Sequence, residues 1–199
     1  MSTTEDQTTT TPTTPTDVRT RDQLVALLEA GATPKYLLFW GHRPERDGRI
    51  GAGSLSQWWP APFTVDGLTY ATAEHWMMAG KARLFGDEEI VPRILAARTP
   101  AEAKKLGRLV RGFEDRRWEQ ERFDLVVAGN VAKFGQHEEL RAYLLGTARR
   151  VLVESSPLDR VWGTGLAADD EHATVPSRWR GLNLLGFALM AARAELAGS

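Results

Sequence analysis

Two ionisable residues stand where a helix would bury them. The segment from Thr72 to Phe85 reads as one helix. At about 100° per residue, Lys81 falls about 20° from Glu74, on the same line. Met78 and Phe85 lie within about 40° on one side of Glu74, and Met77 about 60° away on the other. Glu74 and Lys81 therefore sit inside an apolar stripe. A charge placed there needs a partner or a shifted pKa. An acid and an amine so placed point to a lined cleft. A second reading stays open: Lys81 snorkels from a half-buried helix and Glu74 serves only the helix dipole.

Three further clusters carry candidate chemistry. Glu154 to Gly165 places two carboxylates, Glu154 and Asp159, after a short β-branched run, followed by Trp162-Gly163-Thr164-Gly165. Loops held by a rigid element often carry function, and free backbone N–H groups beside Gly163 and Gly165 can hold a phosphate. The plain alternatives are a turn, a loop cap at Asp159 and core packing for Trp162. Gly181 to Gly186 places Asn183 to cap the last helix, at a helix start that can also bind phosphate. Gly129 to Phe134 offers Asn130 and Lys133 either to a ligand or to a solvated helix end.

The chain of 199 residues has no Cys, which excludes disulfides, thiolate metal sites and Cys nucleophiles. Its four His are scattered, so no metal is expected. Walker, dinucleotide and Gly-x-Ser-x-Gly motifs are absent, which leaves ATP hydrolysis, hydride transfer and serine esterase chemistry without support. No cofactor is expected. Twenty-five Lys and Arg face 26 Asp and Glu. That balance does not favour a nucleic-acid partner, although a local basic cleft stays open. No stretch is apolar enough to span a bilayer and no signal peptide is seen, so a cytoplasmic protein is expected.

The elements that must position these residues are mostly helices. Residues 1–19 read as a disordered Thr/Pro-rich tail, and 20–199 as one domain. Thr20 and Gln23 have capping-box spacing ahead of Leu24, Leu27 and Leu28. Tyr36 to Trp40 reads as a strand, and residues 41–53 as an exposed loop. Asp66-Gly67 marks a hairpin within Phe63 to Tyr70. Helices follow at Thr72 to Phe85 and at Asp87 to Ala97, where Pro92 kinks the helix or begins it late. The next opens at Thr99-Pro100-Ala101-Glu102. Others run over Asp115 to Phe134, His137 to Thr147 and Asn183 to Leu196. Val151 to Glu154 reads as a strand. The fold class is α+β, a predominantly helical single domain with a small sheet.

In order and spacing these pieces resemble the YbiA-like, or NADAR, family from about Leu37 to Leu196. The matching pieces begin with Phe39-Trp40-Gly41, then Leu55-Ser56-Gln57-Trp58-Trp59-Pro60. Ala73-Glu74-His75 with Lys81, Lys104-Leu106-Gly107-Arg108 and Trp118 follow. Lys133-Phe134, Leu152-Val153-Glu154, Asp159 to Gly165 and Gly181 to Gly186 complete the set. The resemblance implies a YbiA-like fold and an N-glycosidase. It would cut between a phosphorylated ribose (ribose 5-phosphate or ADP-ribose) and an exocyclic amine, as in ribosylamino-pyrimidine intermediates of riboflavin synthesis. It further implies roles for Glu74, Lys81, Trp118, Lys133, Asp159 and Trp162. Thr164 stands where some members carry Asp, and the basic loop Arg43 to Gly53 is longer than in compact relatives.

On that chemistry, cleavage builds positive charge on the sugar while the leaving amine takes a proton. Glu74 is the candidate to stabilise the cation or activate water, and Asp159 to orient the ribose or share the acid–base work. A ring-opened route would instead use Lys81 or Lys133 as a Schiff-base amine. Trp162 or Trp118 would stack on the base, and Gly163, Gly165 and Asn183 would contact substrate. Two other functions stay open: removal of ADP-ribose from guanine in DNA or RNA, and a non-catalytic module that binds ADP-ribose or a nucleotide.

Overall fold

The structure is a computed structural model that describes residues 18–198. The element order is α1 (Arg21–Glu29), β1 (Tyr36–Phe39), a 3₁₀ turn (Ala52–Leu55), β2 (Phe63–Val65), β3 (Leu68–Tyr70), α2 (Ala73–Leu84) and α3 (Val91–Leu95). Then come α4 (Pro100–Gly107), α5 (Asp115–Gly135), α6 (Glu138–Gly146), β4 (Val151–Glu154), a second 3₁₀ turn (Pro176–Arg178) and α7 (Leu184–Ala197).

Local signals start these elements. Thr20 and Gln23 form the full capping box at α1. Thr99 Oγ1 accepts from Glu102 N at 3.1 Å, and Pro100 opens α4. Asp66 and Gly67 both take positive φ, 51° and 76°, as a two-residue hairpin turn requires. Pro92 lies in the first turn of α3. The expected helix from Asp87 therefore begins only at Val91. Asp87 instead turns its carboxylate to Arg111.

The expected small sheet is two separate strand pairs. β2 and β3 form the antiparallel hairpin, and β1 pairs with β4 in parallel. Phe39 is the register partner of Glu154, so both strands end together. Val151, Leu152 and Val153 are all buried, as in a parallel strand covered on both faces. α7 covers β4 and also packs on α5. Helices and strand pairs share one apolar core.

Gly186 shows how closely α7 meets the strand. A Cβ there would collide with the Leu152 carbonyl oxygen and the Asn183 amide. Gly186→Ala should cost about 1–3 kcal/mol, read as a lower midpoint in thermal unfolding.

The expected tail falls mainly on residues 1–17, outside the described residues. Its last two positions differ from the expectation. Val18 is buried in the core, and Arg19 pairs with Asp124 at 3.7 Å. Among the described residues, no helix is long and apolar enough to cross a membrane.

Candidate active site

Glu74 lies in the first turn of α2 and is only 2% exposed. Its backbone N–H donates to Gln57 O at 3.0 Å, which ties α2 to the segment after the first 3₁₀ turn. Its Oε1 is buried with no hydrogen-bond partner. Burial pushes its pKa up to about 7. Attraction to Lys104, a hydrogen bond from the Trp58 side chain and attraction to Arg108 oppose that rise, while Asp159 adds to it.

Glu154 ends β4. Its residue surface is partly exposed, but its Oε2 is buried and without a partner. Burial raises its pKa to about 8, with repulsion from Asp159 and Glu74 adding to the rise and Lys104 opposing it. Asp159 completes the group. Its Oδ1 accepts the Val161 and Trp162 N–H groups at 2.9 and 2.8 Å. Three carboxylates thus converge at the end of the parallel strands, with Lys104 and Arg108 of the α4 segment as counter-charges.

The Gly-rich loop is folded against these acids. Gly165 N donates to Asp159 O at 3.1 Å, and Thr164 N to Glu154 O at 2.9 Å. A Cβ on Gly163 would lie 2.9 Å from Glu154 O and 3.0 Å from Asp159 O, so the approach needs glycine. Gly165 adopts φ 69°, which side chains rarely take. Thr164 Oγ1 is turned inward to Glu154 O and Leu166 O at 3.4 Å each.

Asn183 supports the site from behind. It occupies the N-cap position of α7 in a left-handed conformation, φ 55°, and its side chain makes no cap bond. The expected capping role is corrected by the strand's needs. Asn183 Nδ2 donates to Leu152 O, and Oδ1 accepts Glu154 N, both at 2.9 Å. The amide thus satisfies two buried strand groups that no neighbouring strand reaches.

Lys133 is fully buried. Its Nζ donates to Ser54 O at 2.7 Å and Ser56 O at 2.9 Å, and burial lowers its pKa to about 7. Asn130 holds the same segment through Gln57 Nε2 at 3.1 Å. The two α5 residues, expected at a ligand or in solvent, clamp the turn that carries Trp58.

Lys81 is half-buried in other surroundings. Its Nζ lies 4.0 Å from the Phe113 ring centre and 5.8 Å from that of Trp118. Burial lowers its pKa and Asp115 opposes this. Seven residues of helix, about 10 Å along the axis, separate it from Glu74. The cations acting on Glu74 are Lys104 and Arg108. Glu74 and Lys81 thus have different charge partners in the fold.

The structure therefore brings together Glu74, Asp159, Trp162, Gly163 and Gly165, with Asn183 behind them. It sets Lys81 and Trp118 apart, and encloses Lys133. The sequence marks Glu154 as a carboxylate after a strand but assigns it no role, and it assigns none in this group to Lys104, Arg108 or Trp58. The signal for Glu154 is its place directly after three β-branched or aliphatic residues, at a strand end. Among the described residues, no group of three or more His, Cys, Asp and Glu is arranged to hold a metal ion.

Comparison with known proteins gives this arrangement a lineage. The NADAR domain family matches residues 38–197, which span every residue just described. The chain belongs to the NADAR domain family. The N-glycosidase R617 of Acanthamoeba polyphaga mimivirus is 39% identical over 168 residues, 82% of this chain and 97% of that protein. The N-glycosidase YbiA of Escherichia coli K12 is 35% identical over 145 residues, 73% of this chain and 82% of that one. The solution structure of E. coli YbiA matches with a TM-score of 0.66 at 31% identity, over 83% of this chain and 87% of YbiA. These NADAR relatives set the activity class, N-glycosidase, and the α+β YbiA-like fold.

Proposed function

We propose that this NADAR protein cleaves the bond between a phosphorylated ribose and an exocyclic amine, using Glu74 and Glu154 as a coupled acid–base pair. The observation that carries the reading is the buried carboxylate group itself. Two of its oxygens, Glu74 Oε1 and Glu154 Oε2, are shielded from water and unbonded. Buried polar atoms without partners are rare in folded proteins, and substrate is the natural partner here.

The division of labour follows from environment. Glu154, raised to about 8, holds its proton at neutral pH and gives it to the leaving amine. Glu74, raised to about 7, is partly ionised there and faces the positive charge that builds on the ribose, or takes a proton from water. The two titrate as a pair, so each proton belongs to both. Asp159 is held by two backbone N–H groups and orients the ribose hydroxyls. Lys104 keeps the acids from all becoming neutral.

Lys81, with its ammonium near the Phe113 and Trp118 rings, is assigned a substrate-binding role. That cation between two aromatic rings supports contact with the phosphate or the base. Lys133, closed in by two carbonyls, is a positioning residue for Trp58. A Schiff-base route would need an amine at the anomeric carbon. Lys133 is enclosed and Lys81 stands two turns from Glu74, so direct cleavage is the better-supported route. Borohydride trapping with substrate, read by mass spectrometry, should leave both lysines unmodified; an adduct on either would replace this route.

The substrate class is tested by incubating the pure protein with a ribosylamino-pyrimidine phosphate and, separately, with guanine-ADP-ribosylated DNA. Release of ribose 5-phosphate from the first is the expected result. Release of ADP-ribose from the second alone would assign the nucleic-acid substrate. Tight binding of either without turnover would reduce the protein to a binding module.

A further inference from the structure

The carboxylates lie at the C-terminal end of the β1–β4 pair. At its other end, where both strands begin, the chain forms a cleft of about 560 Å³. Segments 32–35 and 146–150 line it. Its ionisable lining consists of Lys35, Arg149 and Arg150, with no acid. Ala32, Pro34 and Ala148 supply apolar wall. Four residues of strand, about 13 Å, separate this end from Glu154.

Arg193 of α7 lies directly behind the lining. Its Nη1 donates to Thr147 Oγ1 at 2.7 Å and to Arg150 O at 3.0 Å, and both residues line the cleft. Arg193 is 4% exposed, and its Nη2 is buried with no hydrogen-bond partner. A buried guanidinium ordinarily rests against an anion. Among the described residues, none of Lys35, Arg149, Arg150 and Arg193 forms an ion pair. Burial, unopposed by any carboxylate, moves the Arg193 pKa down to about 10.

We propose that this cleft is a second binding site, which takes the phosphate group of a small phosphorylated molecule between Lys35, Arg149 and Arg150, with the positive charge of the buried Arg193 behind the wall. Arginine's planar fork suits phosphate oxygens, and several cations without an acid suit a dianion better than a single carboxylate. The cleft exceeds the size of phosphate alone, and its apolar wall accommodates the remainder of the ligand. The site is independent of the N-glycosidase reading, because none of its residues touches the carboxylates.

The test titrates the full chain with sodium phosphate at constant ionic strength, following backbone amide resonances. Saturable shifts at Lys35 and residues 146–150 are expected, with Glu154 and Thr164 unmoved. Phosphate should also raise the thermal midpoint above that in chloride, as a ligand of the folded state must. Lys35→Gln combined with Arg149→Gln alters only exposed side chains. The double variant should fold normally and bind phosphate about tenfold or more weakly. Unsaturable shifts, wild-type affinity in the double variant, or shifts confined to residues 154–165 would each overturn the proposal. A response to an oligonucleotide but not to phosphate would overturn it too, by making the cleft a nucleic-acid contact.

Discussion

Glu74→Gln should lower kcat/KM by about 10²-fold or more, with an unchanged circular dichroism spectrum and an equal or higher thermal midpoint. The amide keeps the shape of the carboxyl but can neither ionise nor exchange a proton. Burial of Glu74 outweighs the attraction of Lys104 and Arg108 and the Trp58 hydrogen bond, so its charge is a net cost to the fold. A purely structural acid would behave the other way: its loss would unfold the chain and leave the remaining folded fraction active. Full activity in Glu74→Gln would remove this residue from the chemistry and shift the burden to Glu154 and Asp159.

Glu154→Gln should separate activity from stability more sharply. Its carboxyl titrates at about 8 in the fold against an ordinary 4.5. Between those values the folded state holds a proton that the unfolded chain has lost. The stabilising contribution is complete below about 4.5 and is lost as pH rises through about 8. Above that, an ionised Glu154 is forced against Asp159 and Glu74. Gln removes the charge, so the variant should melt about 3 °C or more above the wild type at alkaline pH and about equally in mild acid. Loss of the proton donor should lower kcat/KM by about 10²-fold. The activity loss should shrink for substrates whose leaving amine is already a good leaving group. A variant that is less stable at every pH would mean that Glu154 is a structural acid.

The outline of the fold was legible because several local signals agreed. Thr20 with Gln23, Thr99 with Pro100 and Asp66 with Gly67 are interactions within four residues, and each formed as spaced. The parallel pairing of β1 with β4 joins residues more than a hundred positions apart, and no periodicity encodes such a partner. The same limit governed the site. Helical phase correctly put Glu74 on the buried face of α2. It also put Lys81 on that line, but phase carries no information about what packs opposite each turn. α4 brings Lys104 and Arg108 to the first turn, while the segment before α5 brings Phe113 to the last. Lys133 and Asn183 show the same limit. The sequence offered a ligand contact or a solvated helix end for Lys133 and a helix cap or a ligand contact for Asn183, and neither reading could name the buried backbone groups that both side chains meet.

The central claim is that Glu74 and Glu154 are shielded, proton-sharing acids, and it can be tested without knowing the substrate. Carbon-13 labelling of the glutamate carboxyls, with assignment by the two Gln variants, gives their titration directly by NMR. Midpoints near 7 for Glu74 and 8 for Glu154 are expected, with the Glu154 midpoint falling in Glu74→Gln. Both groups titrating independently near 4.5 would contradict the account, since solvated carboxylates of that kind could not divide acid and base work at neutral pH.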